Sequence, residues 1–168
     1  MKILQYESPK FELKIVSSPQ SEDAIKNYLK TLKAPIVFTN GVFDILHRGH
    51  VTYLEQAKSL GSSLIVGINS DQSVKSLGKG DDRPINSQND RMALIAALAS
   101  VDLVICFEEQ TPVNLINQLR PDIYVKGGDY EIDTLEETKL VKTWGGKAFA
   151  IPFIYHSSTS KLLHKIRG

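Results

Sequence analysis

A single cysteine, Cys106, stands in the 168 residues. A lone thiol forms neither an internal disulfide framework nor a multi-cysteine zinc site. No apolar run approaches the roughly 18 residues that a membrane-spanning helix needs. The opening MKILQYESPKFELK has no apolar stretch of the kind a secretory leader carries. Excess charge of one sign is also missing: Lys and Arg number 20 against 19 Asp and Glu, a net charge of +1. Such a balance argues against a partner held by bulk electrostatics, nucleic acid above all. Repeats and low-complexity tracts are absent as well. What is present is 42% hydrophobic and 23% charged residues, the balance of a globular domain that buries a real core. These properties lead us to expect a cytoplasmic protein.

Along the chain, residues 1–34 read as an N-terminal extension. Phe11–Val16 suits a short strand. Ser21 with Glu22 and Asp23 suits the start of a helix reaching Lys33, since a hydroxyl cap and early acids complement the positive helix end. Residues 35–168 read as the main domain. Five apolar runs, Ile36–Thr39, Leu64–Ile68, Asp102–Phe107, Ile123–Val125 and Ala148–Ile151, read as strands. Helices are expected between and after them. One covers His50–Leu60, with Val51, Leu54, Ala57 and Leu60 on one side. A second is opened by Ser87, a third by Thr111-Pro112, and two more cover Leu135–Trp144 and Ser158–Ile166. Ser76–Asn86 reads as a polar loop. Apolar strands alternating with amphipathic helices imply a Rossmann-like, doubly wound, five-stranded parallel sheet of the α/β class.

In such a sheet, ligands sit beyond the carboxyl ends of the strands. Four loops qualify. They hold Asn40 to His50, Asn69 to Arg83, Lys126 to Tyr130 and His156 to Lys161. The first is the sharpest. His47 and His50 flank a helix start, and Gly49 lets backbone approach a ligand. The N–H groups of a helix start favour phosphate, to which two imidazoles add donors. No third metal ligand stands near them, so zinc is not expected. Several neighbours have plainer readings. Cys106 suits the core, His164 the surface, Trp144 a helix-end contact and Asp71 a helix cap. Lys75, Lys79 and Arg83 suit a solvated loop, Arg91 a surface ion pair and Ser158 an N-cap.

FTNGVFDILHRGHVTYL resembles the signature of the HxGH nucleotidyltransferase superfamily, and Ser158-Thr159-Ser160 resembles its second signature. VGINSDQSV, GDDRPIN, DRMALIAALASVD and RPDIYVKGGDY are similar to the branch that adenylylates D-glycero-D-manno-heptose 1-phosphate for lipopolysaccharide synthesis. The resemblance covers about residues 35–167. There are departures from the wider superfamily: Val42 stands where threonine is common, Phe153 where the cytidylyltransferases carry arginine, and His156-Ser157 where Gly-Arg is usual.

The resemblance implies transfer of AMP from ATP to a sugar 1-phosphate. The attacking group is then already an anionic phosphate oxygen, so no protein base or nucleophile is required, and catalysis reduces to alignment and charge stabilisation. The implied catalytic residues are His47, His50, Lys79 and Arg91, the last two neutralising phosphate charge. Asn40, Gly41, Val42, Phe43, Gly49 and His50 would hold the nucleotide from one side. Lys126, Gly127, Gly128 and Asp129 would approach the adenine and ribose. Ser158, Thr159 and Ser160 would cradle the outer phosphates. Asp44, Asn69, Asp71 and Arg83 would serve the sugar phosphate. Mg²⁺ would arrive with ATP, and no protein metal site is expected. The resemblance further implies a homodimer and a separate sugar kinase upstream. A cytidylyltransferase for glycerol phosphate or a related alcohol phosphate is the alternative enzyme, and a nucleotide-binding regulatory module without catalysis the alternative of another class. An aminoacyl-tRNA synthetase shares the histidine–glycine–histidine loop but needs a longer chain.

Overall fold

The computed structural model describes residues 8–17, 22–78, 80, 82–128, 131–155 and 159–168. The strands are β1 (Ile15–Val16), β2 (Ile36–Gly41), β3 (Ser63–Asn69), β4 (Leu103–Phe107), β5 (Ile123–Gly127) and β6 (Lys147–Ile151). The helices are α1 (Glu22–Leu29), α2 (Arg48–Lys58), α3 (Asp71–Ser76), α4 (Gln88–Ala96), α5 (Val113–Leu119), α6 (Glu136–Lys142) and α7 (Thr159–Arg167).

The strands form one parallel sheet in the order β1-β4-β3-β2-β5-β6. Every residue of β3 and β4 is buried, as a parallel sheet covered on both faces requires. One face packs against α2 and α4, whose Leu54, Ala57, Met92 and Ile95 join Leu64 and Val66 in a common cluster. The other face packs against α1, α5 and α6 through Ile25, Leu115, Ile116 and Val141. Leu54, Leu64, Ile65 and Ile68 are fully buried, and each such side chain contributes about 1.5–3 kcal/mol of transfer free energy. Among the described residues, no helix is long and apolar enough to cross a membrane.

Among the described residues the sheet has six strands rather than the expected five. The sixth comes from the N-terminal segment. Lys10–Lys14 form a 3-10 turn instead of a strand, and only Ile15 and Val16 pair, with Val104 and Ile105. That segment is therefore part of the sheet, and the Lys14 ammonium donates to the Val101 carbonyl at 2.8 Å. The expected Ser21 cap lies outside the described residues. A second difference is α3, a helix just before the expected Ser76–Asn86 loop, where the sequence suggests only a cap at Asp71. Ser70 starts it by accepting the Ser73 N–H at 3.0 Å. Ser87 caps α4 as expected, accepting from the Asp90 N–H. Trp144 lies beyond α6 and donates its indole N–H to the Pro121 carbonyl at 3.0 Å.

Strand order reverses direction between β2 and β5, so the carboxyl end of β2 is the topological switch point, where α/β sheets place their ligands.

Candidate active site

At that point β2 leads into the loop Val42–His47. Phe43 adopts φ 49°, a left-handed conformation that is costly for an aromatic residue. It turns the chain so that the Phe43 ring meets His50 edge-on, 5.2 Å between centroids. The ring also lies over the Cα of Gly41, where a Cβ would come within 2.8 Å of it. The helix then begins at Arg48, two residues earlier than expected, because His47 is its N-cap. His47 Nδ1 accepts the His50 N–H at a long 3.4 Å, which leaves the proton of the neutral ring on Nε2. The two imidazoles stack, 3.7 Å between centroids and 18° between planes. Such packing crowds Gly49, where a Cβ would meet the His47 ring at 3.1 Å and the Tyr155 carbonyl at 3.2 Å.

Burial sets the charge state of the pair. It lowers the pKa of His47, and it lowers that of His50 to about 4, with the charge of His47 adding to the effect and the Ile45 carbonyl opposing it. Both rings are therefore neutral near pH 7, each carrying a single N–H donor. Among the described residues, buried His50 Nδ1 has no hydrogen-bond partner.

Two cavities meet at this loop. One, of about 480 Å³, is lined by Val42, Phe43, Asp44, His50, Arg83, Thr159 and Ser160. The other, of about 180 Å³, is lined by Val42, Phe43 and His50 again, with Asn40, Gly41, Tyr53, Lys126, Gly127 and Phe153. The shared residues make them one cleft, running from the start of α7 past His50 to the end of β5, with His47 stacked behind His50 and lining neither cavity. Thr159 and Ser160 open α7, so its N–H groups and these hydroxyls face the larger cavity, a setting that suits anionic oxygens. Lys126 donates to Asn40 Oδ1 at 3.1 Å, and the Tyr124 hydroxyl shares that acceptor at 3.3 Å. Gly128 follows with φ 108° and donates to the Ile151 carbonyl. At Gly127 a Cβ would strike the Phe153 ring at 2.7 Å, so glycine is what lets the ring form that wall.

Asp44 is 1% exposed. Its carboxylate takes the Arg83 guanidinium and the N–H groups of Ile85 and Asn86. Arg83 is thus a buried, paired residue at the cleft wall rather than part of a solvated loop. Arg91 differs most from expectation. It was expected to neutralise phosphate charge, with a surface ion pair as the plainer reading. It is instead 0% exposed, and its guanidinium donates to the carbonyls of Asn86, Val42 and Asn69 and to Asp71 Oδ1. The charge is committed behind the cleft wall, so Arg91 is a positioning residue. Asn69 and Asp71 sit with it and line neither cavity. Asn69 is buried and donates to Ser73 Oγ, and the helix cap proposed for Asp71 belongs to Ser70. Lys79, Asp129 and Ser158 lie outside the described residues.

Two cleft features escaped the sequence reading. Tyr53 stands one turn after His50 on the inner face of α2, bonded through its hydroxyl to Thr39 at 2.6 Å and to the Val125 carbonyl, and its ring meets Phe153 edge-on at 5.9 Å. The three-residue spacing from His50 is the signal that would have found it. Arg48, between the histidines, lies 3.9 Å from the Tyr155 ring centroid, a cation–π contact that joins the histidine loop to the segment leading into α7.

A stacked histidine pair at the switch point, facing a second helix start across a cleft, defines a nucleotidyltransferase of the HxGH type. Residues 38–162 match the cytidylyltransferase-like family, and the chain belongs to it. It is 59% identical over 160 residues to a protein of Bordetella bronchiseptica named D-beta-D-heptose 1-phosphate adenylyltransferase, covering 95% of this chain and 98% of that one. It is 53% identical over 136 residues to the bifunctional protein HldE of Pseudomonas savastanoi pv. phaseolicola, covering 81% of this chain but only 28% of HldE. Among solved structures, the lipopolysaccharide core biosynthesis protein of Thermoplasma volcanium superposes with a TM-score of 0.60 at 33% identity, covering 73% of this chain and 98% of that one.

Proposed function

We propose that this chain transfers the adenylyl group of ATP to D-glycero-β-D-manno-heptose 1-phosphate, giving ADP-heptose and pyrophosphate for lipopolysaccharide core synthesis. The observation that carries the reading is the 59% identity to the heptose 1-phosphate adenylyltransferase along 95% of the chain, joined to a cleft built for phosphates. A phosphate oxygen of the sugar 1-phosphate attacks the α-phosphorus of ATP, a new P–O bond forms, and the bond to pyrophosphate breaks. The nucleophile is already anionic, which accounts for a site made of donors without a general base. Neutral His47 and His50 donate to oxygens whose charge grows during transfer. Thr159, Ser160 and the α7 amides hold the outgoing phosphates. Gly127, Phe153 and Tyr53 bound the space for the nucleoside.

Mg²⁺ enters this reading as the companion of ATP. Its role is to neutralise phosphate oxygens while keeping most of its water. The residues present suit that arrangement. The Asp44 carboxylate at the cleft is engaged by Arg83 and two amides, so the ion would be held by the phosphates and water instead. The reading places the protein in the cytoplasm, where ATP is available, and requires a phosphorylating enzyme to supply the acceptor. It also includes a homodimer, for which exposed Val51 on α2 and Leu94 on α4 offer apolar surface over one face of the sheet. Sedimentation velocity tests that part.

The decisive experiment follows pyrophosphate release over a panel of nucleotides and phosphate acceptors. ATP with the heptose 1-phosphate is expected to give the highest kcat/KM by a wide margin. Comparable turnover of CTP with glycerol phosphate would return the assignment to the cytidylyltransferases.

A further inference from the structure

We propose that the carboxyl end of β4 and the first turns of α5 form the subsite that reads the hydroxyl-rich body of the acceptor. The inference rests on the heptose 1-phosphate reading. A cavity of about 450 Å³ opens there, on the same edge of the sheet as the histidine cleft but sharing no lining residue with it. Its floor is apolar: Cys106, Phe107 and Leu115 are all buried. Its rim is polar, made by the side chains of Glu108, Glu109, Asn114 and Gln118. Glu109 accepts from Asn114 at 3.2 Å, and the Glu109 carbonyl accepts from Ser73 at 2.7 Å, which ties the rim to α3. Gln88 of α4 also lines the cavity and accepts the Asp71 N–H at 2.9 Å.

Position is the first argument. The nucleoside cavity lies on the β5 side of the switch point, so an acceptor whose phosphate meets the histidines must extend toward β3 and β4. The end of β4 lies two strands from the end of β2, a span of about 10 Å, within reach of a seven-carbon sugar 1-phosphate. Chemistry is the second. Carboxylates and amides offer acceptors and donors in the mixture that vicinal hydroxyls need, and the apolar floor suits the C–H face of a sugar. Charge is the third. Glu108 and Glu109 repel a phosphate, so the acceptor is favoured with its hydroxyls at β4 and its phosphate turned back to the histidines. Arg91 lies between the two places, joined to Asp71 and to the Val42 carbonyl, and holds their separation.

The test is steady-state kinetics of Glu108→Ala and Gln118→Ala, with Asn117→Ala as a control, an exposed residue of α5 outside the cavity. All three side chains are exposed, so folding is expected to survive, and thermal melting checks it. Each cavity variant is expected to raise KM for the heptose 1-phosphate about tenfold, the loss of one hydrogen bond to the acceptor. KM for ATP is expected to hold. The preference for the heptose over mannose 1-phosphate, which lacks the seventh carbon, should shrink in both. The control should match the wild type. Unchanged acceptor KM and unchanged preference in folded, active variants would overturn the subsite alone. A wild-type protein inactive on every sugar 1-phosphate would overturn the functional reading and the subsite with it.

Discussion

Arg91 donates through Nη1 to the carbonyl of Val42 at 2.7 Å, so helix α4 grips the backbone of the loop that presents both histidines. The same guanidinium also reaches the carbonyls of Asn86 and Asn69 and the Asp71 carboxylate. A lysine has neither the planar fork nor the number of donors to replace it. Arg91→Met leaves several buried acceptors unpaired and is expected to cost at least about 3 kcal/mol in urea unfolding. Arg91→Lys should fold better yet lose kcat. A lysine variant with wild-type kcat would remove Arg91 from the positioning role.

His50→Gln is expected to lower kcat by about a hundredfold or more, because its donor acts on charge that develops during transfer. ATP affinity in calorimetry should change far less. A parallel loss of affinity and rate would mean that His50 binds ground-state ATP instead.

The pH dependence of stability has a definite sign. His50 titrates at about 4 in the folded protein, against about 6.5 in an unfolded chain. Between these values the unfolded state binds more protons, so stability is complete above about pH 6.5 and declines as pH falls toward 4. Melting temperatures of the wild type should fall through that window, and His50→Gln should flatten the decline. An equal slope in both proteins would show that another group governs it.

At the start of α7, Thr159→Ala removes a hydroxyl from the phosphate end of the cleft. ATP binding should weaken by about 1.5–3 kcal/mol, the scale of a charge-assisted hydrogen bond, while AMP, lacking the outer phosphates, should bind nearly as before. Equal weakening of the two nucleotides would assign Thr159 to helix capping or to the nucleoside.

Gly127→Ala tests the opposite end. The new methyl group would press on the Phe153 and Tyr53 rings at 2.7–3.0 Å. KM for ATP should rise while the acceptor KM stays. No change in either would show that the rings yield and that this wall does not bound the nucleoside.

Much of this architecture was legible in the sequence, for reasons visible in particular residues. LIVGI and LVICF are unbroken apolar runs, and both form strands buried on each face. His47 and His50 are three residues apart, so the first turn of α2 alone brings them together. Less legible were features set by distant partners. Arg91 reads as a helix-surface charge because its acceptors lie 49 and 22 residues away. Arg83 reads as a loop cation because Asp44 is 39 residues distant. The α3 helix is six residues long, too short to show a period. Strand β1 pairs only two residues, and that pairing depends on an edge that exists only after the sheet has formed.

That small strand bears on how one edge of the sheet is protected. Apolar β4, with Val104, Ile105 and Cys106 at its middle, would otherwise be the last strand on its side, showing a row of open amides and carbonyls to any similar chain. Open apolar edges of this kind seed aggregation and strand addition. Ile15 and Val16 cover that edge and, being only two residues, present too short a ladder to recruit a strand in turn. The N-terminal segment therefore works as a guard rail, ending the sheet where an unprotected one would invite another copy to continue it.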